Sequence, residues 1–98
     1  MKIQEGDIIR NRWGYSQTNI DFYQVIKRTP KMVVIKEMEQ RKEYRDDFEG
    51  ESKPVEGKLV GEPERKKVKE IDGEEIVSLE HGIGRKWDGK SLSFSEHA

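Results

Sequence analysis

The side chains able to do chemistry in this chain are few, and the gaps among them are informative. Cysteine is absent and histidine occurs twice, at His81 and His97. A thiolate nucleophile, a disulfide frame and a cysteine-based zinc cage are therefore excluded. No serine stands in a Gly-x-Ser-x-Gly elbow, the strained turn that presents a nucleophilic hydroxyl. His81 precedes Gly82 and reads as a turn residue rather than a general base. Adjacent acids such as Asp46-Asp47 and Glu74-Glu75 lie in charge-rich segments, where carboxylates are usually solvated. Asp46, Asp47, Glu49 and Glu51 lack the Asp-x-Asp-x-Asp-Gly order of a calcium loop. Gly82-Ile-Gly84 has two of the three glycines of a phosphate-binding turn and no helix pattern behind it. Neither an enzyme nor a metal or cofactor is expected.

Binding chemistry is better represented. Trp13, Tyr15 and Tyr23 stand close in sequence around Gly14-Tyr-Ser-Gln-Thr-Asn19, a run of turn formers. Aromatic rings stack on bases or prolines and lose little conformational freedom on binding. Gln17 and Asn19 supply amide hydrogen bonds, although such residues also cap backbone groups in ordinary turns. Trp13 is equally suited to plugging the end of a barrel, and Phe22 is expected in the core.

Two basic clusters add to this. Arg65, Lys66, Lys67 and Lys69 fall within five residues, and Arg85 and Lys86 adjoin Trp87 and Lys90. Interleaved cations and tryptophan suit a phosphate or single-strand surface. The charge balance weighs against it. The chain has 19 Lys and Arg against 20 Asp and Glu, for a net charge of −1. Neither half is basic, whereas dedicated nucleic-acid binders carry a clear positive excess. Glu62, Glu64 and Glu70 bracket the first cluster, so alternating charge there equally serves solubility and edge protection.

The elements that must position these residues are strands. Ile and Val number 16 against four Leu and Ala, and Cβ branching favours a pleated sheet over a helix. Gly6 to Trp13 forms a first strand with Ile9, Asn11 and Trp13 on one face. A second strand spans Asp21 to Arg28 and a third Met32 to Met38, joined by a reversal at Thr29-Pro30-Lys31. Asp72-Gly73 then joins two strands in a hairpin that sets Val68 opposite Val77. His81-Gly-Ile-Gly84 is a flexible corner, and Asp88-Gly89 marks another hairpin, leading into a strand with Leu92 and Phe94 on one face.

Between these lies a different composition. From Glu39 to Glu70, 19 of 32 residues are charged. Tyr44 and Phe48 stand one helical turn apart, so Glu39 to Glu49 is expected as a short helix, or alternatively as the third strand running on into a charged hairpin. Gly50, Pro54, Gly57, Gly61 and Pro63 imply a long surface loop from 50 to 63.

Ninety-eight residues hold one compact core, so residues 1–98 are expected to form a single domain with 39–63 as a charged insertion or mobile loop. Five or six short antiparallel strands close most economically as a small all-β barrel or a partly open sandwich. An SH3-like barrel fits the order of hairpins; an OB-like barrel is the alternative and needs a helix at 39–49. No apolar run approaches the roughly 20 residues of a membrane span. Lys2, Gln4, Glu5 and Asp7 are unlike a signal peptide, so a cytoplasmic location is expected.

Gly6-Asp-Ile-Ile, Trp13-Gly-Tyr-Ser-Gln-Thr-Asn-Ile-Asp-Phe-Tyr-Gln-Val25 and Lys86-Trp-Asp-Gly-Lys90 resemble a family of small uncharacterised proteins from phages, plasmids and bacterial genomes. That resemblance implies a mobile-element accessory protein that binds a host defence or nucleic-acid-handling complex, and it assigns no site residues. A non-enzymatic binding module with a protein partner is the leading expectation. Direct nucleic-acid binding through the aromatic and basic residues is the alternative.

Overall fold

A computed structural model describes residues 2–14 and 16–96. They form β1 (Ile8–Trp13), β2 (Asn19–Arg28), β3 (Met32–Tyr44), β4 (Glu49–Ile71), β5 (Glu74–Leu79), β6 (Gly82–Lys86) and β7 (Leu92–Ser95). All pairings between these strands are antiparallel, in one sheet of order β3-β2-β1-β6-β5-β4-β7. Because β3 also pairs with β4, six strands close into a barrel-like ring, and β7 hangs on the first part of β4. The expected all-β class and closure are borne out. The strand count is seven, because the corner around Ile83 is itself a strand, β6.

The charged middle is where expectation fails. Residues 39–63 are neither helix nor long loop: β3 runs on to Tyr44, and β4 returns from Glu49. The OB-like alternative loses its helix with this. Of the readings weighed above, the extended hairpin is the one observed. The glycines and prolines that suggested a loop instead shape the strand. Thirteen residues of β3 face 18 of β4, Gly50 to Lys67, and the surplus is absorbed in two irregularities. One lies between Leu59 and Pro54 and contains Gly57 at φ +82°; the other lies between Glu64 and Val60 and contains Gly61 at φ +75°. Glycine tolerates positive φ, and bulges bend the strand that carries them.

This bending gives β1, β2 and β3 a buried layer on each face. Inside the ring lie Ile3, Ile9, Val25, Val33, Ile35 and Val77, with Tyr23, Val68 and Leu79 against them. On the opposite face Ile20, Phe22, Met38 and Phe94 cluster with Ile8, Leu59, Trp87 and Leu92. Period-two alternation sorts the neighbours Ile8 and Ile9 to different clusters. The second cluster is closed by β7, whose Ser95 bridges to Thr18 just before β2.

The Asp72-Gly73 turn takes φ of +51° and +80°, the all-positive geometry of a type I′ hairpin, and sets Val68 opposite Val77 as expected. The second Asp-Gly makes no hairpin. Asp88 Oδ1 accepts from the Lys90 amide at 3.0 Å, and the chain crosses to pair β7 with β4 rather than with β6.

Two contacts hold the ring shut. Gly84 of β6 packs directly on Ile9: a Cβ at 84 would stand 2.6 Å from Ile9 Cγ2 and 3.0 Å from Leu79 Cδ1. At one end, Ile3 plugs the ring beneath a clamp. Arg28 donates to both Glu75 carboxylate oxygens, at 3.0 and 2.9 Å, and to the Ile3 carbonyl at 3.2 Å. Glu75 Oε1 also accepts from the Ile3 amide at 2.8 Å. These bonds hold the Glu75 carboxyl below the usual glutamate range, the Arg28 hydrogen bonds first and the Ile3 amide next.

Gly84→Ala is expected to lower stability by roughly 1–3 kcal/mol, the cost of overpacking a filled core; denaturant unfolding measures it, and an unchanged midpoint refutes the tight approach to Ile9. Glu75→Gln is expected to cost about 1.5–3 kcal/mol near neutrality, as for a charge-assisted hydrogen bond. A carboxyl lowered in the folded state stabilises above its unfolded value of about 4.3, and that contribution fades as pH falls through the lower folded value. The gap between wild type and Glu75→Gln therefore closes toward low pH in paired denaturation curves, and a constant gap refutes the linkage.

Candidate functional site

The far end of the ring from the Ile3 plug is polar. Asn11, Trp13, Asp21 and Tyr23 share the inward face there, because Asn11 pairs with Asp21 and Ile9 with Tyr23 across β1 and β2. Glu37 lies directly across from Tyr23 on β3. From β4 come Glu64 and Lys66, in alternation with the inward Val68. Glu80 and His81 make the two-residue turn between β5 and β6. Asn11, Asp21, Tyr23, Glu64, Lys66, Leu79, Glu80 and His81 line a cavity of about 120 Å3.

Asn11 is 1% exposed. Its Nδ2 donates to the His81 carbonyl at 3.3 Å. Its Oδ1 is buried and meets no donor among the described residues. Gly82, at φ +124°, leaves room beside that oxygen; a Cβ there would come to 3.2 Å of it. Trp13 stacks on His81 with ring centroids 4.3 Å apart and donates its indole N–H to Asp21 Oδ2 at 2.7 Å. The exposed His81 thus lines the opening with the half-buried Trp13 stacked on it.

The opening is acidic. Burial pushes the Tyr23 hydroxyl well above its usual range, and Asp21, Glu37, Glu64 and Glu80 push in the same direction. Glu37 is raised as well, first by burial and then by Asp21 and Glu64. The cation lining the cavity is Lys66, 3.5 Å from Glu64.

The residues picked out from sequence do not form one surface. Tyr23 and Lys66 line the mouth, and Trp13 adjoins it by stacking on His81. Gln17 and Asn19, joined by a 3.2 Å hydrogen bond, line an adjoining groove of about 270 Å3 with Trp13, Lys42 and Phe94, and Asp21 borders both. Arg65, Lys67 and Lys69 alternate outward along β4 and form no ion pair among the described residues. Arg85 pairs with Glu74 at 3.2 Å and Lys86 with Asp7 at 3.5 Å, on different partners. Trp87 packs edge-on against Phe22 and donates to the Lys90 carbonyl at 2.7 Å. Tyr15 and His97 lie outside the described residues.

Sequence reasoning missed Asn11, Asp21, Glu64, Glu80 and Gly82 as site residues. A polar residue alternating with Ile9 on a core-facing strand was the available signal for Asn11. Among the described residues no group of three or more His, Asp and Glu side chains is placed to hold a metal ion. No helix among them is long and apolar enough to cross a membrane. Comparison of the chain with protein families, curated proteins and solved structures finds no match.

Raised tyrosine ionisation follows directly from this geometry. Because Tyr23 holds its proton more firmly folded than unfolded, stability falls as pH rises past the unfolded value of about 10. Tyr23→Phe is expected to flatten that alkaline loss and to remove a late-titrating component from the absorbance titration near 295 nm. Ionisation of Tyr23 at an ordinary value refutes the acidic opening.

Proposed function

We propose that this chain is a non-enzymatic binding module that engages a protein partner through the open end of its ring. One observation carries the reading: a buried acceptor, Asn11 Oδ1, lacks a donor among the described residues, and its residue lines a cavity shared with Asp21, Glu64 and Glu80. A buried polar atom without a partner typically costs about 1–3 kcal/mol, a penalty that a ligand able to donate there relieves. The opening, at about 120 Å3, is smaller than the roughly 300–1,000 Å3 of small-molecule sites. It matches the tip of one side chain, which favours a macromolecular partner supplying further contacts around the rim.

Direct nucleic-acid binding is the second reading, favoured by the outward Arg65, Lys67 and Lys69 on β4. It draws less support, because Arg85, Lys86 and Lys66 each face a carboxylate and Trp87 is engaged with Phe22. The mobile-element setting suggested by sequence is compatible with either and decides neither.

Affinity capture with wild type and with an Asp21→Asn/Glu80→Gln variant separates the two readings. The expected result is a protein recovered in stoichiometric amount by wild type and lost by the variant. Equal recovery by both, or recovery of nothing, defeats the proposal. In parallel, oligonucleotide titration at low salt is expected to show no binding at high-micromolar concentration. Salt-sensitive binding abolished by reversing Arg65, Lys67 and Lys69 instead establishes the second reading.

A further inference from the structure

Resting on the reading just given, we infer that the mouth of the ring is a receptor for one protonated basic side chain, a lysine ammonium or an arginine guanidinium, presented by the partner. The chemistry of the lining selects a donor carrying positive charge. Asn11 Oδ1 is a carbonyl-type acceptor, fully buried and unpartnered among the described residues. Around it stand Asp21, Glu64 and Glu80, with Lys66 the cation of the lining. Lys66 is committed to Glu64 at 3.5 Å, and Asp21 receives a neutral indole donor from Trp13. Glu37 adds a further acid from β3, across from Tyr23.

The same carboxylates act on their neighbours in the sense this assignment requires. The Tyr23 hydroxyl and the Glu37 carboxyl both resist ionisation, and nearby carboxylates contribute to each after burial. A negative potential that penalises further negative charge rewards an incoming cation by the same interaction. The Trp13–His81 stack adds an aromatic edge to the opening, and ammonium or guanidinium groups associate favourably with indole faces. A neutral donor would satisfy Asn11 but gain nothing from the carboxylates. A bare divalent metal wants several ligands converging at fixed distance, and the described residues converge no such group.

The test uses the full chain and small probes followed by NMR. Nα-acetyl-lysine methylamide and Nα-acetyl-arginine methylamide are titrated while the Asn11 side-chain amide resonances are observed. The norleucine and glutamine counterparts serve as neutral controls, and magnesium and calcium chloride as metal controls. Saturable shifts with either cationic probe and not with the neutral ones are expected. Asp21→Asn/Glu80→Gln is expected to weaken that binding about tenfold or more, while Lys67→Glu on the outer face leaves it unchanged. Both variants conserve or exchange exposed or half-buried polar groups, and coincident thermal melts establish that they fold. Equal shifts with neutral and cationic probes, unchanged binding by the double variant, or shifts with the metals alone each overturn the inference. The two layers fail separately. Mouth-dependent capture of a protein without response to either amine sinks the cation assignment and leaves the module. Amine binding with mouth-independent capture does the reverse.

Discussion

Pairing of β3 with β4 is the constraint on which the rest of the molecule depends. Without it the sheet is an open ribbon whose outer strands expose unpaired backbone groups, a state that invites association with other chains. With it, six strands close on themselves and the inward side chains of all of them meet. The same pairing then continues past the ring, from Met38 to Tyr44, and builds the second cluster with β7. A straight ladder cannot serve both purposes. The glycine-containing irregularities at 57 and 61 turn β4 from one lobe into the other, as bulges do wherever a sheet must curve.

Closure leaves two ends, and the sequence treats them oppositely. At the Ile3 end the carboxylate of Glu75 accepts from the Arg28 guanidinium and from the Ile3 amide, so its ionised form is favoured. At the other end Glu37 is desolvated beside Asp21 and Glu64, so its ionised form is disfavoured. Both are glutamates partly removed from water. The difference lies in whether donors were built around them. A satisfied carboxylate ties the N-terminal segment, β2 and β5 together. At the other end the acids are met only in part: Asp21 accepts from Trp13 and Glu64 pairs with Lys66, while Glu37 is desolvated beside both.

The parts of this architecture legible in sequence are those fixed by neighbours along the chain. Asp72-Gly73 encodes its hairpin locally, the reversal at Pro30 likewise, and the shared face of Ile9, Asn11 and Trp13 follows from alternation. The first half of β4 was hidden for a physical reason. Its buried positions are Gly50, Ser52 and Pro54, so the strand carries no apolar alternation to read. Gly50 is required because Glu43 O and Phe94 occupy the space of a Cβ. Ser52 is buried because its hydroxyl donates to Gln40 Oε1 at 2.6 Å, and Gln40 donates in turn to the Ile20 carbonyl at 2.8 Å. Across from them Lys42 and Tyr44 cover the Phe94 ring rather than water alone. Each of these is a long-range arrangement with no local signature. Asp88-Gly89 errs in the other direction: the local signal for a hairpin is present, but β6 is already paired on both sides by β1 and β5, leaving no edge for β7.

The candidate site divides in the same way. Trp13, Tyr23 and Lys66 were visible as types able to bind, whereas their acidic surroundings, Asp21, Glu37, Glu64 and Glu80, arrive from three different strands and a turn. What distinguishes the acceptor buried beside this opening is that it is an amide. A carboxylate at position 11, buried among these acids, would be driven to its protonated form, as Glu37 is pushed upward on the half-buried face beside it. Protonation would turn an acceptor into a donor and erase the preference for a cation. Asparagine keeps an acceptor whose character does not depend on pH, at the cost of leaving it unmatched in the free protein. The charged members stand at exposed or half-buried positions, where solvent lowers the cost of ionisation, and the neutral member is the buried one. On the proposed reading, that division suits a receptor for a positively charged group, whereas at the Ile3 end the carboxylate is itself matched by the Arg28 guanidinium and the Ile3 amide.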